Sequence, residues 1–114
     1  MKVDRFEDLL VWKKSKELAV IIYKHFESIK DYGFREQILR ASVSVMNNIA
    51  EGFERKTNNE FKQFLFIAKG SSGELRSMLY LALETNKISE SEFKSLYNSS
   101  LEISKMLSGL IKKL

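Results

Sequence analysis

The sequence predicts an all-α protein, an antiparallel up-down-up-down bundle of four helices that forms one domain over residues 1–114. Three observations support this prediction. The chain contains no proline, so no residue of that kind interrupts a helix interior. Apolar residues recur at the spacing of an amphipathic helix in four successive stretches, and no stretch alternates with the two-residue period of a strand. The connections between the stretches are short, which favours antiparallel neighbours.

The first helix is predicted to begin at Leu9 or Trp12 and to end at Ile29. Gly33, in the segment KDYG, is the predicted stop before the next helix. The apolar face of this first helix consists of Leu18, Ala19, Ile22, Tyr23, Phe26 and Ile29.

The second helix is predicted from Phe34 to Glu51, and Gly52 is expected to terminate it. Its apolar residues cover an unusually wide sector, which is typical of a helix surrounded by other protein on most sides. They are Ile38, Leu39, Val43, Val45, Met46, Ile49 and Ala50.

Two capping boxes predict where the last two helices begin. Thr57 is followed three residues later by Glu60, and Ser89 is followed in the same way by Glu92. The third helix should extend to about Thr85, and the fourth should run to the end of the chain. The expected apolar face of the third is Phe61, Phe64, Leu65, Ile67, Ala68, Leu75, Met78, Leu79 and Ala82. That of the fourth is Phe93, Leu96, Tyr97, Leu101, Ser104, Leu107 and Ile111.

A polar stripe follows one side of the second helix within an arc of roughly 100°. One interpretation is a solvated face, although asparagine is a poor helix former and long charged side chains are scarce here. The other is a hydrogen-bonded seam in which Arg40 pairs with Glu51 or Glu74, because a half-buried arginine without a partner is costly. Such a seam would fix the helix register or line a subunit contact. The stripe comprises Gln37, Arg40, Ser44, Asn47, Asn48 and Glu51.

The third helix offers a second side rich in small residues. Gly70, Gly73 and Ser77 lie there beside Phe66 and Tyr80. Each glycine costs a helix interior about 1 kcal/mol relative to alanine. We interpret this side as an oligomer contact, where small residues let another helix approach closely. The alternative is a locally flexible helix or a bulge.

The basic residues leave the choice of partner open. The net charge of +4 permits contact with nucleic acid without requiring it. Lys62, Lys69 and Arg76 recur every seven residues, as either a phosphate-contacting ridge or a solvated charged face. The candidate nucleic-acid-binding residues are Lys13, Lys16, Lys62, Lys69, Arg76, Lys112 and Lys113.

Catalytic chemistry has little support in the sequence. Cysteine is absent, and the single histidine, His25, is expected on the exposed surface. We predict no catalytic residue, cofactor or metal site, and leave as the enzymatic alternative a carboxylate pair among Glu51, Glu54, Glu60 and Glu74. The apolar stretches are far shorter than a membrane span, and no secretory signal is visible. We therefore expect a cytoplasmic protein without a membrane partner.

Three segments resemble a known family. FEDLLVWKKS resembles its aromatic–leucine–tryptophan entry motif, QILRASVSVMNNIAEGFER its hallmark motif, and EFKQFLFIAKGSSGEL its third-helix motif. The resemblance is to four-helix-bundle proteins encoded by intervening sequences in bacterial 23S ribosomal RNA genes, and it covers nearly the whole chain. The string Asn48-Ile49-Ala50-Glu51-Gly52 is specific to it. Gln37, Arg40, Ser44, Asn48 and Glu51 match the motif, so they are expected to organise the bundle or its subunit contacts, with Glu74 as a partner.

The resemblance implies a ring-forming homo-oligomer, a pentamer. The family is also similar to the accessory variability protein of diversity-generating retroelements, a basic ring that binds nucleic acid and a reverse transcriptase. Leu39 stands where the family often has a basic residue, and the net charge is modest, so strong nucleic-acid binding is not expected. We expect a non-enzymatic scaffold that binds itself and RNA, DNA or a nucleic-acid-processing protein. The alternative is a protein–protein assembly module with no nucleic-acid contact.

Overall fold

The computed structural model describes residues 2–114, and these form a bundle of four helices measuring 43 × 23 × 19 Å. A single 3-10 turn, Phe6–Asp8, precedes the first helix. Each helix packs against its neighbour in sequence, and the first also packs against the fourth, so the core lies between all four. This confirms the predicted all-α fold, and the contacts are consistent with up-down-up-down order. The helices are α1 (Leu10–Phe26), α2 (Tyr32–Phe53), α3 (Asn58–Glu84) and α4 (Glu90–Lys113).

The junction between α1 and α2 differs from the prediction. α1 ends at Phe26 rather than Ile29, and Gly33 lies inside the first turn of α2 instead of stopping α1. The signal that decides the boundary is Asp31, whose carboxylate accepts a hydrogen bond from the backbone N–H of Phe34 at 3.3 Å. An N-cap side chain of this kind satisfies a backbone donor that a helix start otherwise leaves unpaired.

Gly52 does not terminate α2, which continues to Phe53. No glycine among residues 2–114 has a positive φ, so Gly52 is not a left-handed cap. A Cβ atom at this position would lie 2.6 Å from the Cβ of Phe64 and 3.0 Å from Cδ1 of Phe61. Glycine is required here because α3 packs directly against the backbone of α2.

Both predicted capping boxes are present. The Thr57 hydroxyl accepts a hydrogen bond from the Glu60 backbone N–H at 3.1 Å, and the Glu60 carboxylate accepts one from the Thr57 backbone N–H at 3.3 Å. Ser89 and Glu92 repeat this exchange at 3.1 and 2.7 Å. These boxes fix where α3 and α4 begin, because each satisfies two backbone donors at a helix start.

The core matches most of the predicted apolar faces, with clear errors at Tyr23 on α1, which is 39% exposed, and at Ile67 on α3. Ile67 was expected in the core but is 52% exposed, whereas Ala68 next to it is fully buried. Ile67 therefore lies on the outer side of α3, one residue step away from the buried face. On α4, Ser100 and Ile103 are buried although the predicted face omitted them.

Candidate functional site

The outer side of α3 exposes large apolar side chains that the bundle does not cover. Phe66, Ile67, Tyr80 and Leu81 are 56, 52, 51 and 48% exposed. They account for four of the nine large apolar residues that are exposed among residues 2–114. Large exposed apolar side chains grouped on one side of a helix are typical of an interaction site. We call it the outer stripe, and its members are Phe66, Ile67, Gly70, Gly73, Ser77, Tyr80 and Leu81.

The small residues at the centre of the outer stripe have no role within one chain. A Cβ atom at Gly70 would meet no atom within 4 Å, and one at Gly73 would meet only the Arg76 guanidinium, at 3.7 Å. α3 is continuous through both glycines, so the alternative of a bulge is wrong. Both glycines destabilise the helix relative to alanine, and neither close packing nor backbone conformation within one chain requires them.

One end of the outer stripe is held rigid by aromatic packing. The ring centroid of Tyr80 lies 4.9 Å from that of Phe93 and 5.6 Å from that of Tyr97. Interaction with the neighbouring Tyr97 side chain is the main cause that raises the pKa of Tyr80 above its ordinary value. Half of the Tyr80 side chain is nevertheless exposed, so a rigid aromatic edge faces outward.

The inner part of the polar stripe on α2 forms a hydrogen-bonded contact with α3. Nδ2 of Asn48 donates to the backbone carbonyl of Ser44 at 2.8 Å and is 3.0 Å from its hydroxyl. That hydroxyl is also 2.8 Å from the hydroxyl of Ser71 on α3. Ser44 and Asn48 are half-buried, so this part of the stripe sets the register between two helices.

The outer part of the polar stripe does not form the predicted ion pair. Among residues 2–114, Arg40 contacts neither Glu51 nor Glu74 within 4.0 Å; Glu51 instead lies 3.9 Å from Arg55. The expectation of pairing rested on a half-buried arginine, but Arg40 is exposed and its charge is solvated. Gln37, Asn47, Glu51 and Glu74 are exposed as well. Arg40, Asn47 and Glu51 line an open groove of about 680 Å³ along the outer surface of α2.

Arg76 lies at the α3–α4 interface rather than on a free ridge. Its Nη1 donates to the hydroxyl of Ser72 at 3.0 Å and to the hydroxyl of Ser100 at 3.4 Å. The two serine hydroxyls are 3.0 Å apart and buried. This buried polar cluster was missed because the predicted apolar faces of the third and fourth helices omitted Ser72 and Ser100. The available signal was position: Ser72 lies seven residues after Leu65 and three before Leu75, on the buried face.

The other basic candidates lie on the surface. Lys13, Lys16, Lys69, Lys112 and Lys113 are exposed, and Lys62 is half-buried. Nζ of Lys16 lies 5.4 Å from the centroid of the Trp12 ring.

The structure adds two basic residues to those predicted at the end of α4. Arg55 and Lys56, in the connection between α2 and α3, line a pocket of about 220 Å³ together with Lys113. The Arg55 guanidinium also lies 4.7 Å from the centroid of the Phe64 ring. We call these three residues the basic end. Sequence reasoning missed it because Arg55 and Lys56 lie far from Lys113 along the chain.

His25 is half-buried rather than exposed, with its Nδ1 3.6 Å from a carboxylate oxygen of Glu92. Within residues 2–114, no group of three or more histidine, cysteine, aspartate or glutamate side chains could hold a metal ion. Over the same residues, none of the helices combines the length and apolar character that crossing a bilayer requires.

Comparison with known proteins gives a family match and matches to solved structures. The family model described as 23S rRNA-intervening sequence protein matches residues 7–109. The chain is also similar to a crystal structure from Bacteroides thetaiotaomicron, described as a protein with unknown function from the S23 ribosomal protein family. The two are 34% identical with a TM-score of 0.84, over 90% of this chain and 99% of the other. No curated protein matches the chain.

Proposed function

Since the chain belongs to the 23S rRNA-intervening sequence protein family, we propose that it is a non-enzymatic scaffold that assembles with itself and contacts RNA. The outer stripe of α3 mediates the assembly, and the basic end supplies contacts to the phosphate backbone. The ring of five copies and the cytoplasmic location that the sequence led us to expect are parts of the same proposal.

The observation that carries this proposal is the outer stripe. Four large apolar side chains, each about half exposed, flank two glycines that have no packing role within the chain. Covering apolar area is the main driving force of protein association. Small residues between large ones leave a recess into which a second helix can fit. A second copy of the chain explains both the exposed area and the glycines.

Charge supports a contact with nucleic acid in the assembled form. Each chain carries +4, so five copies carry about +20, enough for weak backbone contacts that salt would screen steeply. Arg55, Lys56 and Lys113 at the basic end lie together around one pocket, and none of them belongs to the outer stripe. Assembly and nucleic-acid contact can therefore use different surfaces.

Light scattering on the Phe66→Asp variant tests the assembly. The carboxylate would have to be desolvated in the contact, so the variant should elute as a single chain of 13.3 kDa, whereas the unmodified protein should be larger. Tyr32→Asp is the matched control, because Tyr32 is an aromatic residue 61% exposed outside the stripe. Equal masses for the unmodified protein and Phe66→Asp would contradict the role of the stripe.

Filter binding of single-stranded RNA at low salt tests the second part. The double variant Lys56→Glu/Lys113→Glu should bind more weakly and with a shallower salt dependence, by about 0.7 unit of slope per lost phosphate contact on a single strand. Lys94→Glu/Lys105→Glu changes the charge equally at exposed positions outside the basic end and should have a smaller effect. If the unmodified protein does not bind RNA, the proposed RNA contact is wrong. That result would favour the alternative, an assembly module for protein partners. A partner captured independently of nuclease treatment would support that alternative.

A further inference from the structure

We propose that the outer stripe docks into a groove between α1 and α2 of a second copy of this chain, so that the contact is head-to-tail. This inference rests on the proposed self-assembly and names the surface that receives the stripe.

The groove between α1 and α2 is one of two further uncovered apolar surfaces; the other is a groove between α1 and α4 that Leu10 and Met106 line. The α1–α2 groove is open, has a volume of about 440 Å³, and is lined on its apolar side by Ala19, Val20, Tyr23, Val43 and Met46. Val20 and Tyr23 are exposed, and Val43 and Met46 are half-buried. The groove has room for one large side chain of the outer stripe, such as Phe66, which is 56% exposed.

The groove and the outer stripe lie on different faces of the bundle. Val43 and Met46 line a groove with α1, whereas Ser44 and Asn48 lie on the edge of α2 that contacts α3. The two apolar surfaces of one molecule therefore cannot cover each other. A symmetric contact of stripe on stripe would also leave every groove open, whereas a head-to-tail contact covers one of each per interface.

Charges of both signs flank the two surfaces and can pair across a contact. Lys16 and Lys24 line the groove, while Glu74 and Glu84 are exposed on α3 beside the outer stripe. Among residues 2–114 none of these four side chains forms an ion pair. Glu27 lines the groove as well, and Lys69 is exposed on α3, so the opposite pairing is available too. A second copy supplies partners of opposite sign on both sides of the contact.

Mixing two assembly-deficient variants tests the head-to-tail arrangement. Phe66→Asp damages only the stripe, and Val20→Asp damages only the groove, so each variant keeps one intact surface. Each alone should bind copies of itself about 30-fold or more weakly than the unmodified protein, the effect of losing a central contact residue. An equimolar mixture should form a pair with twice the mass of one chain, because one intact stripe meets one intact groove. Tyr32→Asp is the control, because both of its surfaces are intact. A mixture in which it replaces one of the two variants should form assemblies larger than a pair.

The possible results separate this inference from the proposed function. If the unmodified protein is a single chain, self-assembly and this inference both fail. If it assembles and Val20→Asp assembles equally well, the groove is not the receiving surface, and self-assembly through the stripe still stands. Circular dichroism of Val20→Asp shows whether the variant is folded. If Val20→Asp is unfolded, the milder variant Tyr23→Ser replaces it in the experiment. A Tyr23→Ser variant with the same mass as the unmodified protein at all dilutions would overturn the inference.

Discussion

Replacing Gly70 with alanine should have opposite effects on the isolated bundle and on the assembly. In a single chain the new methyl group meets no atom within 4 Å, so only the helix propensity changes. Alanine is better than glycine in a helix interior by about 1 kcal/mol. The free energy of unfolding of dilute, single-chain protein should therefore rise by about that amount, which corresponds to a melting temperature roughly 4 °C higher.

The assembly should respond in the other direction. If a second helix approaches the backbone of α3 at Gly70, the methyl group occupies the space that this helix needs. The dissociation constant, measured by light scattering over a dilution series, should then rise even though each chain is more stable. Urea unfolding of a single-chain background such as Phe66→Asp measures the first effect separately.

Gly109→Ala is the matched control. Gly109 lies in α4, is exposed, and likewise has nothing within 4 Å of an added Cβ atom. It should also raise the stability, by a smaller amount because Gly109 lies in the last turn of α4, and leave the dissociation constant unchanged. If Gly70→Ala behaves in the same way, the small residues do not mediate a close helix contact, and the reasoning about the outer stripe is wrong.

Three further predictions concern the bundle itself. Gly52→Ala should lower the free energy of unfolding in urea by about 1–3 kcal/mol, because its Cβ would clash with Phe64, and a gain would contradict the packing argument. Ser100→Ala should cost about 1 kcal/mol in the same assay, because it removes hydrogen bonds to Ser72 and Arg76. Hydrogen bonds at the α4 capping box, led by that from the Ser89 backbone N–H, lower the pKa of Glu92 below its ordinary 4.5. The folded state therefore holds this proton less tightly, and the stability that Glu92 contributes above pH 4.5 should fade as the pH falls through the lowered value. A Glu92→Gln variant with the same acid dependence as the unmodified protein would contradict this.

Local signals in the sequence predicted the fold well. The two capping boxes place the starts of α3 and α4, because each consists of side chains three residues apart whose partners are their own backbone groups. The helical spacing of apolar residues likewise predicts which residues form most of the core. These interactions are local, so the order of residues is enough to reveal them.

Features that depend on contacts between helices were harder to predict. Gly52 resembles a helix stop in the sequence, and only the position of Phe64 on another helix shows that it permits close packing. The cluster of Ser72, Ser100 and Arg76 joins residues 28 positions apart in the chain. Ile67 could not be assigned from apolar spacing alone, because α3 is apolar on two sides and the spacing does not say which side faces the core.

The mass of the unmodified chain in solution tests the central claim most directly. Sedimentation equilibrium over a wide concentration range should give a whole multiple of 13.3 kDa, five in the ring that the family resemblance implies. A mass of 13.3 kDa at every concentration would mean that the outer stripe stays bare in water, and would contradict assembly.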